Sequence, residues 1–208
     1  MKSRTWKRVL AAVCAGVAAV SMAACGGGGA NSTAKDGVII NSVMNSTSQA
    51  SLNYNPFSST ALTGVVGALY EPLFYMNNLK DDPTKLEPLM GKSYTISDDA
   101  KTIDVTIRDG EKWSDGEPYT AEDVAYTFNL LNSNKALNTG GFAGSAKALS
   151  DTEVRITLDN SESVNALSYL SGTMIVPKHV WEKIDDPVTY TNKDAVGSGP
   201  FTVKGGNF

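Results

Sequence analysis

From Ser93 onward, polar and apolar residues alternate with a period of two. Ile103, Val105 and Ile107 fall on one side of a strand and Thr102, Asp104 and Thr106 on the other, while "SYTIS" and "KTIDVTIR" flank the turn residues Asp98, Asp99 and Ala100. This predicts a half-buried antiparallel hairpin. "EVRITLDN" repeats the pattern, setting Val154, Ile156 and Leu158 against Glu153, Arg155 and Thr157. Three strands with one apolar face need a cover. The period changes at Thr120, after which Val124, Phe128 and Leu131 recur at helical spacing until the polar stop at Asn132 to Asn134. Thr120 and Asp123 have the spacing of a capping box. Glu122 and Asp123 also lie in the first turn, where the helix dipole favours negative charge.

The N-terminal half is less regular. "GVIINSVM" (Gly37 to Met44) reads as a β-rich run, "NSTSQASLNYNPFSST" as a loop, and "ALTGVVGALYEPLFYM" as helical or mixed. Tyr70, Phe74, Tyr75, Phe128, Phe142, Tyr169 and Trp181 are core candidates. Loop aromatics such as Phe57 and Phe142 are the ones placed to meet a ligand. At the start, Lys2, Arg4, Lys7 and Arg8 precede an uncharged Ala- and Val-rich stretch too short to span a bilayer, which ends in "SMAAC" and a run of glycines. The expected division is an export signal over 1–24, a lipid-modified Cys25 opening a flexible tether over 25–36, and a folded body from 37. Loss of the signal removes four basic side chains and no acid, taking the net charge of −4 to about −8, which disfavours nucleic acid as a partner. Cys14 goes with the signal, so Cys25 has no partner for a disulfide.

The densest chemistry is in "RDGEKWSDGEPYTAEDVAYTF" (Arg108 to Phe128), where Trp113 sits in an exposed-looking setting among six acids. Asp109-Gly110 and Asp115-Gly116 are turn dipeptides, and Glu122 and Asp123 serve the helix start. Glu111 and Glu117, flanking Trp113, remain as the one pair that a hydrolase could use as general acid and base. His179, in "VPKHVWE", is the sole histidine and is expected to cap or pack. No second histidine or second mature cysteine could join it in a metal site, so no metal or other cofactor is expected. "GSGP" (Gly197 to Pro200) lacks the Lys-Ser/Thr of a phosphate loop and precedes the strand-like "FTVK", so it is expected to be a tight turn into a strand.

"YEPLF" (Tyr70 to Phe74), "IRDGEKWSDGEPYTAEDVAYTF", "VPKHVWE" and "VGSGPF" (Val196 to Phe201) together resemble, in order and approximate spacing, the extracellular solute-binding protein family 5. These are the oligopeptide- and dipeptide-type receptors of ABC importers. The resemblance implies an α/β, periplasmic-binding-protein-like type II fold of two lobes, represented here by part of lobe I and most of domain II, an antiparallel sheet plus helices. Residues 37–195 would hold the N-terminal strand of lobe I and domain II, and 196–208 the start of the return into lobe I, with the second lobe missing. It further implies a lipid-anchored receptor on the outer face of the cell membrane that performs no covalent chemistry. Its partners would be a short peptide or oligosaccharide and the permease subunits. Carried over by position, the cleft-bordering residues are Glu71, Pro72 and Leu73, together with Phe142 in "NTGGFAG". Pro72 has no amide to offer a peptide backbone.

Overall fold

The computed structural model describes residues 52–203 apart from 63, 80, 81, 83, 84 and 162. The expected signal, Cys25, tether and β-rich run at Gly37 to Met44 lie outside the described residues. A two-stranded ribbon, β1 (Phe74–Tyr75) with β2 (Glu87–Pro88), leads into an antiparallel sheet of β3 (Gly91–Ile96), β4 (Thr102–Ile107), β5 (Gly144–Ala148) and β6 (Glu153–Leu158). Its order is β3-β4-β6-β5. Among the described residues three α-helices accompany it: α1 (Ala121–Ser133), α2 (Ser163–Gly172) and the single turn α3 (Lys178–Trp181).

The period-two segments become strands as expected. Ile103 pairs with Ile156 and Val105 with Val154, so their side chains share the buried face. Asp104 pairs with Arg155 on the opposite face, where Nε and Nη2 of the arginine reach the two carboxylate oxygens at 2.7 and 2.8 Å. The fourth strand, β5, alternates only small residues with Ser145 and Lys147 in "GSAKA", too weak a signature for periodicity to find. It is a strand because β6 offers it a ladder, with Ala146 opposite Ile156, and because α1 packs across it. Helix α1 lays Val124, Phe128 and Leu131 against the sheet, all buried. Burying side chains of this size contributes about 1.5–3 kcal/mol each. On the outer edge of β5, Asn129 donates its side-chain N–H to the Ala146 carbonyl at 2.8 Å and accepts the Ala146 amide at 2.9 Å.

The N-terminal segment expected to be helical or mixed is mixed. The described residues of "ALTGVVGALYEPLFYM" hold an irregular turn, Val65–Leu69, in which Val66 and Gly67 have non-helical backbone angles, and then the two residues of β1. Two glycines within four residues, Gly64 and Gly67, adopt positive φ and break any helix. Tyr75 is exposed and not a core residue. "GSGP" is a tight connection, but the described residues that follow it, 201–203, form no strand. Instead, Gly199 N–H donates to the Leu69 carbonyl at 2.9 Å and Phe201 N–H to the Ala68 carbonyl at 3.1 Å.

Trp113 is not exposed but only 2% accessible, and it packs on Tyr119 with ring centroids 4.8 Å apart. Its indole N–H donates to Asp123 Oδ2 at 3.2 Å. That same carboxylate accepts the Thr120 amide at 2.8 Å, closing the predicted cap, and the Lys178 amide at 2.8 Å, which fastens α3 to α1. The charged neighbours of Trp113 mislead because they sit on a small antiparallel arm bridged at Lys112 and Pro118, turned by Gly116 at φ 95°. The arm points its acids outward and its aromatic inward.

Candidate functional site

A cleft of about 290 Å³ opens between two walls of separate origin. One wall is Pro56 and Phe57. The other is the loop after α1, Leu137 to Gly140 with Phe142, backed by Tyr169 and Met174. The loop is built by Asn138, whose side chain accepts the Phe142 amide at 2.8 Å and donates to the Phe142 carbonyl at 2.7 Å. Beneath it, Phe142 stacks at 4.9 Å on Phe128 and edge-on at 5.4 Å on Tyr169. Among the described residues lining the cleft, none is Asp, Glu, Lys, Arg or His. Such a cleft suits an uncharged moiety, held by apolar contact and by the amide and hydroxyl groups of the rim.

Of the four residues placed at the site by position, Phe142 lines this cleft although nearly all of its surface is buried. Pro72 and Leu73 are buried, and the Leu73 carbonyl accepts the Gly91 amide at 2.7 Å. Glu71 is half-buried, donating its amide to Ser198 Oγ at 3.2 Å. Burial raises its carboxyl above the ordinary range. The Arg108 charge opposes that shift and the Glu111 charge adds to it. Glu71 to Leu73 do not line the cleft; the two regions are joined by the segment in which Met174 faces the cleft and Ile175 N–H reaches the Glu71 carbonyl at 3.4 Å. The alternation and capping signals that locate strands and α1 carry no information about Asn138 or Leu137. The only sequence cue to the rim is its "NTGG" composition.

The would-be acid/base pair has structural roles in its backbone. The Glu111 carbonyl accepts the Tyr119 amide at 3.0 Å and the Glu117 carbonyl accepts the Trp113 amide at 2.9 Å. His179 neither caps a helix nor packs in the core. Its Nε2 lies 2.9 Å from Asp115 Oδ2 at a partly exposed position, tying α3 to the Asp-Gly turn. Among the described residues no group of three or more His, Cys, Asp or Glu could hold a metal ion, and no helix is long and apolar enough to cross a membrane.

Behind the Phe57 wall, Tyr70 is fully buried and its hydroxyl accepts from Asn192 Nδ2 at 2.8 Å. Burial pushes its pKa from 10.0 up to about 12, with the Asn192 hydrogen bond partly offsetting the shift. Burial also pushes the Tyr119 hydroxyl well above its ordinary value. Unfolded tyrosine ionises near pH 10 while folded Tyr70 resists until about 12. Its contribution is therefore complete below pH 10 and lost as pH climbs through that window. Of the stability that denaturation titrations should show being lost between pH 10 and 12, Tyr70 should account for about 2–3 kcal/mol. Tyr70→Phe should lose less over the same range.

Comparison with known proteins places these elements. Residues 85–206 match the family model described as bacterial extracellular solute-binding proteins, family 5 Middle. The peptidoglycan-binding protein YepA of Agrobacterium fabrum is 30% identical over 167 residues, covering 72% of this chain and 26% of that protein. Protein XP55 of Streptomyces lividans is 34% identical over 131 residues, covering 61% and 24%. Among solved structures, a periplasmic oligopeptide-binding protein of Thermotoga maritima superposes with a TM-score of 0.66 at 29% identity, covering 74% of this chain and 29% of that one. The chain thus spans about a quarter of the length of the relatives it matches. Its α/β architecture with antiparallel sheets is part of the type II periplasmic-binding-protein fold. With the family model covering more than half of its residues, the chain belongs to the bacterial extracellular solute-binding proteins of family 5.

Proposed function

We propose that this chain is part of the receptor of an ABC importer, one that captures short peptides outside the cell and passes them to a membrane permease. The family match over residues 85–206 carries this reading, supported by likeness to the Thermotoga oligopeptide-binding protein. In this reading Phe57 and Phe142 face the ligand across the cleft, while Glu71, Pro72 and Leu73, which do not line it, stand behind Met174 and are joined to that segment through the Ile175 amide. Residues 1–24 direct export, Cys25 carries the lipid, 25–36 are the tether, and the protein resides on the outer face of the membrane. Because the cleft has no charged lining residue, it holds an uncharged side chain and leaves the charged ends of a peptide to other parts of the receptor. A second reading has a specific observation behind it: the same Thermotoga protein has also been solved with mannohexaose bound. Aromatic walls such as Phe57 and Phe142 suit a sugar face as well as an apolar side chain.

Thermal denaturation of the native protein, purified from membranes with its natural ends, tests both readings. Di- to hexapeptides should raise the midpoint, since a ligand at about 100 times its Kd adds about 2.7 kcal/mol. A rise with manno- or cello-oligosaccharides alone would favour the second reading. No rise with either class, or hydrolysis of either that Glu111→Gln abolishes without unfolding the protein, would overturn the receptor assignment. Cys25→Ala should move the protein from the membrane to the soluble fraction and remove labelling by a fatty-acid probe.

A further inference from the structure

We propose that Asn55 is a positioning residue that sets the width of the cleft by pinning its Phe57 wall to a distant part of the chain. The proposal rests on the cleft being the ligand site.

The two walls are held differently. Asn138 closes the rim loop on itself, so that wall carries its own fixing. Pro56 and Phe57 belong to no strand or helix; the Ser58 amide closes a turn onto the Asn55 carbonyl at 3.1 Å and Tyr54 is tied to Thr191 and Asn192, but the tip at Phe57 still needs fixing to the distant segment. The Asn55 side chain supplies it. Fully buried, it accepts the Phe57 amide through Oδ1 at 3.0 Å and donates through Nδ2 to the carbonyls of Pro187 at 3.0 Å and Tyr190 at 2.9 Å. The Phe57 ring then meets Trp181 edge-on at 5.5 Å, and Trp181 meets Tyr190 at 5.4 Å. Backbone and ring of Phe57 are therefore referred to the same segment, 187–190.

The chemistry selects asparagine. The position needs one acceptor facing an amide and two donors facing carbonyls, all in the length of a single Cβ–Cγ bond. Aspartate keeps the acceptor but sets a carboxylate against two carbonyl oxygens. Alanine keeps none of the three. The bond to the Phe57 amide is a local Asx-turn contact two residues on, and the two bonds to the Pro187 and Tyr190 carbonyls are what tie that turn to a distant segment.

Asn55→Asp separates the two roles. It retains an acceptor for the Phe57 amide and removes both donors. By hydrogen exchange on the full protein, the amides of Tyr54, Asn55, Phe57 and Ser58 should lose protection by about ten-fold or more while those of β4 and β6 keep theirs. Affinity for a tri-leucine or mannohexaose probe, whichever the unaltered protein binds, should fall by about ten-fold or more. In a Phe57→Ala background the same change should cost less than about two-fold, because the residue through which Asn55 acts is gone. Unchanged protection at those amides, or an equal loss of affinity in both backgrounds, would overturn the proposal. If Asn55→Asp does not fold, Asn55→Ser, which keeps an acceptor and one donor, carries the same readouts. If the unaltered protein binds neither probe, the receptor reading loses its support, and the exchange pattern alone decides whether Asn55 is the pin.

Discussion

Asp123→Ala should lower folding stability by about 3–5 kcal/mol, because three N–H groups lose their acceptor inside the protein. The indole of Trp113 and the amides of Thr120 and Lys178 all end on this one carboxylate, which is only 4% accessible. An orphaned buried donor costs about 1–3 kcal/mol, most for the buried indole and less for the part-buried Thr120 and Lys178 amides, and bonds to a charged acceptor are at the upper end. The loss also has a direction. The carboxylate caps α1 and fastens α3, so its removal frees the start of one helix and the anchor of the other. Urea denaturation monitored by tryptophan emission would measure the effect, with Trp113 reporting on its own surroundings. Asp123→Asn should cost less, since its remaining oxygen can still serve one of the two sides. A loss below about 1 kcal/mol for the alanine variant would show that water replaces the carboxylate and that the knot is not structural.

Gly197→Ala should be nearly as damaging, for the opposite reason of adding an atom. A Cβ at this position would run into the carbonyl oxygen of Leu69, which is backbone and has no rotamer to yield. The position is also held from the other side, because Gly197 N–H donates to Ser114 Oγ at 3.2 Å and its carbonyl accepts the Ser114 amide at 3.0 Å. Relief requires moving one of three strands of chain, and overpacking of this kind costs about 1–3 kcal/mol or more. The Gly199 and Phe201 amides, bonded to Leu69 and Ala68, should lose protection from exchange first. The mirror experiment is Gly140→Ala, where a Cβ meets nothing within 4 Å and the midpoint should barely move.

These two positions also show where a sequence is legible and where it stops being so. Thr120 and Asp123 announce a helix start by spacing alone, and Ile103, Val105, Val154 and Ile156 announce strands by alternation, since both signals are local. That Asp123 would also take the Trp113 indole and the Lys178 amide, 55 residues away, depends on tertiary folding and leaves no periodic trace. Trp113 looked exposed because neighbours in sequence are not neighbours across a turned arm. Strand β5 was invisible because "GSAKA" is strand by partnership and not by composition. The site divides the same way. Phe57 and Phe142 could be singled out as loop aromatics, whereas the fixing of one by Asn55 and of the other by Asn138 needs coordinates. Glu71, Pro72 and Leu73 came from positional resemblance, and their burial could not be read from it.

The side chain of Asn129 has a consequence for the protein among its own copies. An outermost strand ordinarily presents free amides and carbonyls that can template pairing with another molecule, a route to aggregation. On β5 the primary amide of Asn129 satisfies one such pair at Ala146, imitating a neighbouring strand one residue long. An incoming chain would have to break two short hydrogen bonds and displace a helix residue before it could pair there. At Ala146 this edge is thereby guarded against self-association, alongside the exposed charge of Lys147 on the same strand.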